Sequence, residues 1–222
     1  MAYQPKAGRM ADRYNLHGKH EPQSSVVLLL IDVINDMEFQ GGDKLLRQAR
    51  PMARALSRLR ARAKAAGIPV IYVNDNFGQW RSDFRKTIAH CLDDGVRGEP
   101  IARLLLPDED DYFVLKPKSS AFFDTTLQTL LQHLGAEHLI LTGVAADVCI
   151  LFSANDAHLR DYRIIVPSDC VASNTRRETE QALRNLVKTT QARVVVSSHL
   201  DLKSLAGRPS RSRRSRKSKR TG

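Results

Sequence analysis

Six short apolar runs, separated by stretches of helical spacing, set the strongest constraint on what this chain can fold into. The runs cover residues 25–31, 68–73, 112–115, 139–141, 162–166 and 192–196. Each is strand-sized and too short for a surface helix. The first is apolar without interruption, as a central parallel strand covered on both faces must be. Between the runs, residues 43–66, 83–91, 124–134, 147–160 and 176–189 carry helical spacing and good helix formers. Strand–helix alternation implies right-handed crossovers, a parallel sheet and helices on both faces. The expected fold is therefore α/β, three layers deep, with a mostly parallel central sheet of about six strands.

Punctuation between the elements sharpens this picture. Pro51 is expected to bend or interrupt the first helix, and Gly67 to terminate it. Asp124 and Asp147 are read as N-caps of the helices that follow them, and Ser173 or Thr175 as the entry to the last. Residues 1–23, broken by Pro5, Gly8, Gly18 and Pro22, read as an irregular arm. Residues 24–200 then form the folded domain, and residues 201–222 a basic, disordered tail.

Charge is unevenly distributed along this outline. The formal net charge is +11, and the run GRPSRSRRSRKSKRTG from Gly207 to Gly222 holds eight Lys or Arg and no acid. Such a segment cannot bury apolar surface, and it offers weak, non-specific binding to nucleic acid through phosphate charge. It has no aromatic side chains to stack on bases, which argues against base-specific recognition. No apolar run reaches the ~20 residues needed to span a bilayer, so no membrane partner is expected. The N-terminus lacks a signal peptide's apolar core. Cys91, Cys149 and Cys170 are an odd number without a framework spacing. They are read as reduced thiols of a cytoplasmic protein.

Chemistry gathers at three strand ends. The first strand ends in Asp32, the third in Lys116, and the fourth runs through Thr142-Gly143 and small residues to Cys149. In a parallel sheet those ends converge on the edge where ligands bind. A thiol is a nucleophile only as thiolate. A carboxylate can take its proton and later return it to a leaving group, and an ammonium favours both anions. Cys149, at the start of a helix, is expected to have a lowered pKa. The small residues Gly143, Val144, Ala145 and Ala146 leave room for backbone N–H groups to face an oxyanion. Asn74 and Asn76, after the second strand, together with Phe39, Trp80 and Phe122, are candidate substrate contacts.

These residues resemble the isochorismatase-like cysteine hydrolases over roughly residues 24–197. The marks are the strand-end acid in LLLIDVIND, the lysine in VLKPKSSAFFDT, and TGVAADVCI. The resemblance implies a Rossmann-like topology and a catalytic triad of Asp32, Lys116 and Cys149. It implies a cis peptide between Val144 and Ala145, with the Ala145 and Cys149 N–H groups forming the oxyanion hole. It also implies a homo-oligomer. Nicotinamidases of the family that bind metal carry Asp-x-His and a further His after the second strand. Here that segment is NDNFGQW, so no metal and no cofactor is expected. True isochorismatases lack the nucleophilic cysteine, so Cys149 implies cleavage of a C–N bond in a small amide or ureido substrate. The alternative reading is a catalytically silent scaffold that binds nucleic acid through the basic tail.

Overall fold

The computed structural model describes residues 23–78 and 83–207. Seven strands build one sheet: β1 (Val26–Ile31), β2 (Val70–Asp75), β3 (Tyr112–Lys116), β4 (His138–Val144), β5 (Arg163–Pro167), β6 (Val171–Ala172) and β7 (Arg193–Val195). Their order is β3-β2-β1-β4-β5-β7, with β6 pairing β4 beyond β5. Every registered pairing among the described residues is parallel. Successive strands travel outward from β1 through β2 to β3, then resume on its other side at β4. The switch in direction thus falls between β1 and β4, where a crevice opens beyond the strand ends.

Helices cover both faces because β1 has two faces to bury. Val26, Leu28 and Leu30 pack under α1 (Gly42–Ala65), α2 (Phe84–Asp93), α3 (Glu99–Leu104) and α7 (Leu202–Ala206). Val27, Leu29 and Ile31 pack under α4 (Leu127–Leu134), α5 (Leu151–His158) and α6 (Arg176–Thr190). All six β1 side chains are fully buried. The sheet separates two cores, and strand parity decides which core a side chain enters.

Several local expectations change. Pro51 lies inside a continuous helix of 24 residues. A proline there costs about 3 kcal/mol. The buried stripe on either side of it, Leu45, Ala49, Met52, Ala53, Leu56 and Leu59, supplies more than that on burial. Asp124 is not a cap: it takes a left-handed φ of 50°, and Thr126 is the residue before α4. Thr175 does open α6, through a reciprocal capping box with Glu178. α3 and β6 were not read from the sequence. Chain order also extends past residue 200, since Leu202 and Leu205 of α7 are buried in the first core. Residues 1–22, the segment holding Trp80 and the basic residues from 208 onward lie outside the described residues. No described helix is long and apolar enough to cross a membrane.

Candidate active site

Parity and register bring the polar strand ends together. Ile71 and Val73 of β2 face the second core, and Asp75 is the next residue of that parity. Val114 of β3 faces the same core, and Lys116 follows it. Asp75 and Lys116 are register partners across the β2–β3 pair, so their side chains stand side by side. Asp32 would follow Leu30 toward the opposite face. Its φ of 53° breaks the alternation and turns its carboxylate toward Lys116. Aspartate tolerates this left-handed region better than most residues.

Cys149 reaches the same point through a tight passage. Gly143 has φ 113°, and a Cβ there would lie 2.0 Å from the Ile31 carbonyl oxygen. Only glycine lets β4 run so close to the end of β1. The Thr142 hydroxyl reinforces the contact by donating to the Leu29 carbonyl at 2.7 Å. The Val144–Ala145 peptide is cis. A π-helical turn, Ala146–Ile150, follows and runs into α5. The Ala145 carbonyl accepts from the Val148 and Ile150 N–H groups, on either side of Cys149. Asp147 is therefore inside the turn rather than its cap. Its carboxylate accepts the Ser173 hydroxyl at 2.6 Å, while the Asp147 N–H donates back to Ser173 Oγ. This exchange ties the turn to the strand end after β6.

Lys116 is the centre of the cluster. Its side chain is fully buried, and Nζ lies 2.9 Å from Asp32 Oδ2, 3.3 Å from Asp75 Oδ2 and 3.6 Å from Cys149 Sγ. An ammonium has three donors, and here each has an acceptor. Asp32 Oδ1 takes a further bond from the Asp75 N–H at 2.7 Å. Burial raises the Asp32 pKa, against the opposing pull of Lys116, the Cys149 thiol and that N–H. Burial alone would lower the Lys116 pKa, but the charges of Asp32, Cys149 and Asp75 outweigh it and the ammonium is held. Burial and then the Asp32 carboxylate push the Cys149 thiol up to about 12, with Lys116 only partly countering them. The lowered thiol pKa expected from the helix start is thus reversed. One ammonium sits between two carboxylates, and a third anion beside it is disfavoured.

The remaining predicted contacts scatter. Asn74 has the opposite parity to Asp75 and is fully buried; its Nδ2 donates to the Ile34 carbonyl at 2.5 Å, and its Oδ1 has no partner. Asn76 Oδ1 accepts the Gly78 N–H, closing a local turn, and the Asn76 N–H binds the Lys116 carbonyl. Phe122 is buried in the second core, packed against Tyr162 and beneath the Arg160 guanidinium. Phe39 is exposed on the loop before α1. The structure therefore brings Asp32, Lys116 and Cys149 together and places Asn74 and Phe122 in packing roles. Asp75 was missed. The signal for it was available: residues 71, 73 and 75 share one face of β2.

Known proteins resemble this chain in sequence and in fold. A model of the isochorismatase domain matches residues 26–199. The uncharacterized isochorismatase family protein YaaI of Bacillus subtilis is 40% identical over 156 residues, covering 70% of this chain and 85% of its own length. The ureidoacrylate amidohydrolase RutB of Serratia proteamaculans is 27% identical over 193 residues, covering 76% and 77%. Among solved structures, N-carbamoylsarcosine amidase from Thermoplasma acidophilum superposes with a TM-score of 0.63 at 25% identity, over 80% of this chain and 99% of that one.

Proposed function

The chain belongs to the isochorismatase family, and from that premise we propose that it is a cysteine hydrolase cleaving a C–N bond of a small amide or ureido compound. One observation carries the reading. A fully buried ammonium, Lys116, touches both a carboxylate and a thiol at the sheet's switch point. A buried lysine held between an acid and a thiol has no packing advantage over an apolar side chain of the same volume.

Asp32 removes the Cys149 proton as the sulfur attacks the carbonyl carbon. With the thiol pushed up to about 12, a free thiolate at neutral pH would cost roughly 7 kcal/mol, at about 1.4 kcal/mol per unit. Handing the proton to Asp32 lowers that cost, because the total negative charge beside Lys116 does not change. The Ala145 and Cys149 N–H groups receive the oxyanion; one such donor is worth about 3–4 kcal/mol where it has been measured. Asp32, now protonated, gives its proton to the departing nitrogen. Water deprotonated by Asp32 then attacks the thioester and returns Cys149 as thiol.

Amidohydrolase and amidase names among the relatives support this reaction class. The test is a panel of primary amides and ureido compounds assayed for released ammonia, with the acyl-enzyme sought by intact mass. Cys149→Ala should abolish both turnover and adduct. Full activity in that variant would remove the nucleophile assignment.

A further inference from the structure

The carboxylate of Asp75 is not needed for the chemistry above, yet it shares the ammonium that the chemistry uses. Asp75 Oδ2 lies 3.3 Å from Lys116 Nζ. Its side chain is 35% exposed, against 7% for Asp32 and none for Lys116. Of the three charged members of the cluster, Asp75 is therefore the one most open to solvent. Two carboxylates stand around one ammonium. Lys118, two residues beyond Lys116, is exposed at the surface. With the Cys149 proton in place, Asp32, Asp75 and Lys116 together carry one net negative charge.

We propose that Asp75 determines specificity: its carboxylate makes the approach to Cys149 electronegative and selects neutral or cationic amides over those carrying a carboxylate. The substrate class rests on the hydrolase reading given above; the sign of the potential does not. A purely local role is also visible for Asp75, because its Oδ1 accepts the Phe77 N–H at 2.7 Å and closes a turn. Asp75→Asn separates the two roles. The amide oxygen can still accept that N–H, while the charge is gone.

The charge is read by modifying Cys149 with methanethiosulfonates that differ only in sign: trimethylammonioethyl, sulfonatoethyl and neutral methyl. In each case the thiolate forms a bond to the reagent's sulfenyl sulfur, the S–SO₂ bond breaks, and methanesulfinate leaves with the electron pair. The buried thiols of Cys91 and Cys170 are accounted for with Cys149→Ala. Normalised to the neutral reagent, the cationic reagent should react at least about ten-fold faster than the anionic one, since a charged cleft raises the local counter-ion concentration by about that factor or more. Asp75→Asn, checked for folding by thermal melt, should cut this ratio by about three-fold or more. Salt raised from about 0.05 to 0.5 M should compress it as screening shortens.

A wild-type ratio near one, a faster anionic reagent, or a ratio that Asp75→Asn leaves unmoved would overturn the proposal. On any hydrolysed amide, a matched pair with and without a carboxylate should show the same preference in kcat/KM, and a preference for the carboxylate would equally overturn it. Failure of the hydrolase reading appears separately, as no ammonia from the whole panel or as activity retained by Cys149→Ala, because thiol modification needs no turnover.

Discussion

Two lysines in this molecule are each ringed by acids, and they differ in almost everything else. Lys64, near the end of α1, donates to Asp108, Asp110 and Asp111 at 2.7–2.9 Å. Arg60, one turn earlier, reaches Asp108 and Asp111 at 2.8 Å. Lys116 donates to two acids and a thiol. Counted as charges, the Lys64 cluster is the richer one, and its three carboxylates lie close enough together to bind a cation. Its ligand positions are already answered by the ammonium and the guanidinium. It ties the loop before β3 to the end of α1, where the Asp111 side chain is buried but Asp108 and Asp110 are open to water that screens much of their attraction. Lys116 is shut away from water, so each nearby charge is screened less than it would be at the surface. It also has a thiol among its partners. What separates a tether from the proposed reaction centre is therefore burial plus an unlike partner, not the number of acids.

The sharpest way to break the comparison is to remove each ammonium. Lys116→Met leaves Asp32 buried beside Asp75 with no counter-charge. Breaking a buried pair in this way costs about 3–5 kcal/mol, read as a lower urea midpoint at unchanged slope. Hydrolysis should also be lost. A stability change below about 1 kcal/mol would mean that Lys116 is no more buried in effect than Lys64. Gly143→Ala should follow in size. It places a Cβ 2.0 Å from the Ile31 carbonyl and demands φ 113° of an L-residue. A conformation of that kind costs about 1–3 kcal/mol before the clash is counted. Its loss of activity should exceed its loss of stability, because the displaced segment carries Cys149. Equal wild-type kcat in a folded Gly143→Ala protein would show that the β4 passage does not position the thiol.

Thiol titration sharpens the contrast from the other side. Cys149 is raised from 9.0 to about 12, so its iodoacetamide reactivity should still be climbing above pH 9 rather than levelling there. Unfolding releases the proton at the lower value. Between about pH 9 and 12 the unfolded chain therefore binds fewer protons than the folded one, and stability falls as pH rises. Burial pushes the Cys91 and Cys170 thiols up to about 12 as well, so Cys149→Ala should lessen the slope of the stability–pH curve in that window without removing it. Asp32→Asn removes the carboxylate that disfavours a second anion, and the alkylation midpoint should move down. A midpoint that stayed in place or rose would mean that burial alone, without Asp32, sets the thiol.

Much of this site was legible in the sequence, and the reason is topological. Once six apolar runs alternate with helices, Asp32, Lys116 and Cys149 must reach one edge of a parallel sheet, whatever the loops do. The details that were not legible depend on backbone torsion and on parity. Asp32 joins the cluster only because φ turns positive at that residue. Asn74 was read as a substrate contact, but alternation along β2 sends its side chain toward the first core, where it donates to the Ile34 carbonyl. Phe122 looked like a pocket wall beside Lys116, and packing against Tyr162 claims it instead. The thiol's raised pKa was invisible because it follows from three side chains meeting, not from the helix start that the sequence displays. α3 was missed because it has only six residues, Glu99–Leu104, too few for a periodic signal.

The smallest expected effect falls on Lys64, and its smallness is the point. Lys64→Met removes three ion pairs at once, more than Lys116→Met removes. Asp111 nonetheless keeps Arg60 at 2.8 Å, and Asp108 and Asp110 are exposed enough to be solvated when the ammonium leaves. The loss should be about 1 kcal/mol or less, and it should shrink further in high salt as the remaining attraction is screened. Hydrolysis should be untouched, since nothing in the Lys64 cluster reaches the strand ends around Cys149. Urea melts at low and high salt measure both features. A salt-insensitive loss of 3 kcal/mol or more, of the order expected for a buried pair, would place Lys64 in the same electrostatic class as Lys116. Burial would then no longer distinguish the two clusters, and only the thiol would.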